Sequence, residues 1–167
     1  MRLRVRPATA AGSAGGGARG RRLAAMKRTA SAVWNGSLQQ GSGTLTTASG
    51  VLANTKYSFA TRFESTPGTN PEELIAAAHA GCFTMALSAA LGKAGFTPQS
   101  LATNAALSLE NLPDRGWTIT VIHLDVTARV PGITADAFQK IAEGAKANCP
   151  VSRVLNAAIT MTAQLAG

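Results

Sequence analysis

The chain has 167 residues, two cysteines and a net charge of +8. That length suits one domain with its own core, and two cysteines exclude a disulfide scaffold or a zinc ribbon while suiting one redox pair. The charge argues against a nucleic-acid reader with a basic folded surface: residues 1–25 hold six arginines and no acid, whereas residues 26–167 hold ten basic and eight acidic residues, a balance of only +2.

Residues 1–25 are rich in Arg, Ala and Gly and offer nothing from which to build a core. A disordered extension is expected there, either a misassigned start upstream of Met26 or a targeting segment, and phosphate binding through it would be non-specific. Residues 26–167 are expected to form a single domain. Its strand-like opening, 31–38 and 43–47, flanks the hairpin loop 39–42. Residues 56–63 alternate again, with Tyr57, Phe59 and Thr61 on one side and Ser58, Ala60 and Arg62 on the other, which predicts a strand. A loop over 65–69 feeds a long helix. Asn70 suits its N-cap, Pro71 its first position, and Glu72 and Glu73 its first turn. From Leu74 to Leu91 there is no formal charge, and a helix apolar on every side is buried in protein or in lipid. Its Ala-rich composition, with His79, Gly81, Thr84 and Ser88, favours a core helix over a membrane span. Two longer strands over 102–110 and 117–130 follow, joined by a turn. Ile122, Leu124, Val126 and Ala128 form the apolar face, and His123 lies opposite. A helix over 135–147, a short helix from Pro150 and a closing strand over 158–165 complete the chain.

Cys82, in the middle of the charge-free helix, is the first candidate for chemistry. A buried thiol is usually inert, but Cys149 sits before Pro150 at a helix N-cap, where peptide N–H groups favour a thiolate. Arg62 suits a fixed cation that lowers a thiol pKa and orients a peroxide oxygen, and Glu72 suits a bidentate partner for it. On an unbroken helix the ten residues from Glu72 to Cys82 span about 15 Å. Either the helix bends or Glu72 serves the Cys82 of another subunit. His79 lies one turn before Cys82 and suits a hydrogen-bonded core histidine better than a base or metal ligand. No short His/Cys spacing supports zinc.

Thr61-Arg62-Phe63-Glu64, the run from Gly68 to Phe83 and Cys149-Pro150-Val151-Ser152 resemble the OsmC/Ohr family, and most closely its osmotically inducible protein C branch. The resemblance runs from about Met26 to the C-terminus. It implies an α+β fold with antiparallel sheets packed around two central buried helices in an intertwined homodimer, with active sites at the subunit interface. It implies a thiol-dependent peroxidase that acts on organic hydroperoxides and less readily on hydrogen peroxide. By position, Cys82 is the peroxidatic thiol, Cys149 the resolving thiol, Arg62 the activating cation and Glu72 its holder. No metal, haem or flavin is implied, and the expected reductant is a dithiol such as a dihydrolipoyl group on a partner protein. A cytoplasmic setting, no specific nucleic acid and no membrane are expected. A redox sensor or binding protein of the same fold, or a structural dimer with inert thiols, are the competing readings.

Overall fold

A computed structural model describes residues 25–166. Except for Ala25, the expected extension lies outside the described residues. Two three-stranded sheets organise the chain. The first holds β1 (Ala30–Asn35), β2 (Ser42–Thr47) and β3 (Thr55–Ser58), paired antiparallel in that order. Its hairpin depends on small residues. A side chain at Gly43 would strike the Val33 carbonyl and the Tyr57 ring, and one at Gly41 would strike the carbonyls of Ser37 and Asn35. Trp34 packs on Tyr57 with ring centroids 5.3 Å apart. Most of β1 is exposed.

The strand expected over 56–63 stops at Ser58. Residues Phe59–Phe63 form the short helix α1 instead. Ser58 and Thr61 make a reciprocal capping box: the Thr61 N–H donates to Ser58 Oγ (3.2 Å) and the Ser58 N–H donates to Thr61 Oγ1 (2.9 Å). This closes a turn that the alternating pattern does not reveal. Phe59 and Phe63 then stack at i, i+4 with centroids 4.9 Å apart, and Phe63 meets Trp117 at 5.0 Å. Arg62 is therefore a helical residue.

The long helix α2 runs from Pro71 to Lys93, and the Asn70 side chain accepts from the Glu73 N–H at 2.8 Å. Its buried residues His79, Phe83, Leu87 and Leu91 recur every four positions. In the single chain, burial is thus confined to one stripe. Ala78, Gly81, Met85, Ala89 and Gly92 on other faces are exposed, contrary to the expectation of burial all round. By length and composition this helix passes as a membrane span, yet its buried stripe belongs to the protein core.

The second sheet holds β4 (Ser100–Leu112), β5 (Gly116–Arg129) and β6 (Ala158–Leu165) in that order. β4 and β5 form the expected hairpin, and its turn uses Gly116 at φ 67°. β6 pairs with β5 in parallel, so the sheet is mixed rather than wholly antiparallel. A parallel neighbour needs a crossover, and α3 (Ala135–Asn148) with α4 (Pro150–Val154) supplies it. Ile122, Leu124, Val126 and Ala128 of β5 are fully buried against Phe83, Leu87 and Leu91 of α2 and Phe138 and Ala142 of α3. The two long helices thus cover one face of this sheet, and α4 carries the chain back beneath α2.

Candidate active site

Two helix-borne thiols meet in this core. Cys82 lies near the middle of α2, and Cys149 caps α4 at its N-terminus. Sixty-seven positions separate them in sequence, yet their sulfurs are 3.3 Å apart and both are free thiols. An approach of a little over 1 Å would bring them to the ~2.0 Å of a disulfide. Cys149 is fully buried and Cys82 is half-buried.

The two sulfurs differ electrostatically. Burial pushes the Cys82 thiol up, the Val151 backbone N–H draws it back in part, and Cys149 beside it raises it again. At Cys149 burial also acts upward. There the Ser152 N–H, the Cys82 thiol, the Ser152 hydroxyl and the Val151 N–H outweigh it and bring the thiol below its ordinary value. No regular side-chain cap bond forms at Cys149, so these groups act as a cluster of dipoles at the helix start. Within one chain Cys149 is therefore the more acidic of the two thiols.

Arg62 and Glu72 form the second pair. Arg62 Nε donates to both Glu72 carboxylate oxygens at 3.2 Å, and Nη2 donates to Oε1 at 2.8 Å. The guanidinium also covers the Phe63 ring at 4.9 Å. Local structure fixes this pair. Thr61 Oγ1 donates to the Thr69 carbonyl at 3.0 Å, which draws the end of α1 to the start of α2. Glu72 stands in the first turn of α2, and the helix continues unbroken to Cys82. The structure therefore brings the four predicted residues together as two separate pairs, about 15 Å apart along the helix axis.

His79 is fully buried, and its Nε2 lies 2.8 Å from Ser152 Oγ on α4. Sequence reasoning placed His79 in the core but missed Ser152. The signal was there: His79 and Cys82 are three apart on one helix, and Cys149 and Ser152 are three apart on the other. His123 stays on the sheet face, with Nδ1 2.8 Å from Thr160 Oγ1. Among the described residues no group of three or more His, Cys, Asp or Glu side chains is gathered as a metal site.

A family model described as OsmC-like protein matches residues 63–164. The chain is 55% identical over 132 residues to the peroxiredoxin OsmC of Escherichia coli (strain K12), covering 79% of this chain and 92% of that protein. It is 30% identical over 100 residues to an organic hydroperoxide resistance protein of Xanthomonas axonopodis pv. citri (strain 306), covering 59% and 68%. The fold is shared with the crystal structure of the organic hydroperoxide resistance protein OhrB of Bacillus subtilis, at a TM-score of 0.64 and 24% identity over 81% of this chain and 98% of that one. An OsmC-like protein of unknown function from Vibrio cholerae superposes with a TM-score of 0.69 at 17% identity, covering 84% and 100%. The matched region takes in α2, both long strands of the second sheet and the two cysteines, and the chain belongs to the OsmC-like protein family.

Proposed function

We propose that this protein is a cysteine-based peroxidase that reduces organic hydroperoxides, and hydrogen peroxide less well, to alcohols. The observation that carries the reading is the 3.3 Å approach of two free thiols from helices far apart in sequence. The names of the relatives point the same way. In the first step the Cys82 sulfur attacks the distal peroxide oxygen. The O–O bond breaks, the alcohol leaves with the thiol proton, and Cys82 becomes a sulfenic acid. Cys149 then attacks that sulfur, the S–S bond forms and water is lost. An external dithiol, of the dihydrolipoyl type, exchanges with the disulfide and is itself oxidised. The balance is hydroperoxide plus dithiol to alcohol, water and disulfide, without metal or flavin. A cytoplasmic setting, where such dithiols stay reduced, suits this cycle.

The first step needs a cation. Burial holds the Cys82 thiol up, and Arg62 is tethered to Glu72 at the far end of the same helix. Arg62 of a second subunit would meet this need, with Glu72 holding its guanidinium in a fixed fork. The exposed small-residue face of α2 offers close approach for such a homodimer.

The 3.3 Å approach of the two free thiols suits a second reading as well, a redox sensor that forms the same disulfide without useful turnover. Consumption of cumene hydroperoxide with dihydrolipoamide separates the two. The wild type should turn over many equivalents, Cys82→Ser none, and Cys149→Ser about one before it stalls. Stoichiometric consumption by the wild type would leave only the sensor.

A further inference from the structure

Two side-chain links, one helical turn apart, join α2 to α4. One is the sulfur pair, and the other joins His79 Nε2 to Ser152 Oγ at 2.8 Å. The proposed cycle uses only the first. A buried imidazole with one partner is a cost unless that partner matters.

The direction of the second link follows from what surrounds it. His79 Nδ1 is buried and has no hydrogen-bond partner. A buried N–H without an acceptor costs more than a buried lone pair without a donor. The imidazole proton therefore sits on Nε2, where Ser152 Oγ accepts it. Burial also keeps the ring neutral by lowering its proton affinity. Cys149 lies three residues back, at the start of the same short helix, so the link at Ser152 fixes the turn that carries its sulfur.

We propose that His79 and Ser152 are positioning residues for disulfide closure: their link pins the first turn of α4 to α2 and so holds the Cys149 sulfur against Cys82. The inference rests on the peroxidase reading above. In the step it serves, an electron pair of Cys149 forms the S–S bond. The S–O bond of the Cys82 sulfenic acid breaks, and the departing hydroxide takes a proton from solvent. The Ser152 proton stays on its oxygen and His79 stays neutral.

Single-turnover oxidation of the reduced full-length protein by cumene hydroperoxide tests this. Hydroperoxide loss reports the first step, and disulfide appearance, with dimedone trapping of the sulfenic acid, reports closure. In Ser152→Ala and His79→Leu the ratio of closure rate to hydroperoxide-loss rate should fall about ten-fold, with trapped sulfenic acid rising. In a Cys82→Ser background, Ser152→Ala should move the thiolate absorbance midpoint of Cys149 upward, a direction that loosened packing alone would not give. Ser152→Thr keeps a hydroxyl, and His79→Gln keeps an N–H at the Nε2 reach. Both should restore closure, and both guard against variants that fail to fold. An unchanged ratio with an unmoved midpoint in folded Ser152→Ala would overturn the proposal, as would His79→Gln closing as slowly as His79→Leu. A wild type that consumes no hydroperoxide would instead sink the peroxidase reading.

Discussion

Arg62 presents three N–H···O contacts to one carboxylate, and that fork is what a lysine cannot imitate. Arg62→Lys keeps the charge but loses the planar grip. It should lower kcat/KM for cumene hydroperoxide by about ten-fold or more, with Glu72→Gln producing a smaller loss of the same kind. His79 gives a second residue-level expectation. Its folded proton affinity lies below the usual 6.5 because it is buried. Below about pH 6.5 the unfolded chain therefore binds a proton that the folded chain refuses, so stability falls as pH drops through that window and is full above it. Urea unfolding at about pH 7.5 and about pH 5.5 should show the loss, and His79→Leu should flatten it. The candidate residues stood out because each carries its own chemistry: two thiols, an arginine expected on a strand and found on α1, a first-turn glutamate. Ser152 did not, since a serine in a first helical turn ordinarily serves the helix start, and only the fold brings His79 to it.

At the level of elements, the helices that announce their own ends were read closely. Asn70 with Pro71 marks α2, and Pro150 marks α4. The second sheet was legible from alternation in β5, whose even-numbered residues from Ile122 to Ala128 are fully buried. The error at 56–63 arose because five residues are too few to distinguish period 2 from period 3.6, and a capping box made from Ser58 and Thr61 decided the matter. The parallel pairing of β6 was illegible for another reason: strand direction is set by the crossover and not by the strand's own residues. Packing gives a prediction at this scale. Phe83 is fully buried where α2 meets the sheet. Phe83→Ala should cost about 3–5 kcal/mol of unfolding free energy, read from the urea midpoint at constant m-value.

For the whole molecule, the separation of the Arg62–Glu72 pair from the sulfur pair becomes a prediction about assembly. If each site draws its cation from the other subunit, Arg62→Ala and Cys82→Ser chains are each inactive alone. Mixed one to one and allowed to exchange, they should recover about a quarter of wild-type activity, since half the dimers are mixed and each has one complete site. No recovery after proven exchange would mean that the cation comes from the same chain. The linear order of the two cysteines has a temporal consequence as well. Cys82 leaves the ribosome 67 residues ahead of Cys149. At ~5–20 residues per second it waits about 3–13 s without its sulfur partner. For that interval a sulfenic acid formed at Cys82 has no resolving thiol of its own chain to close on.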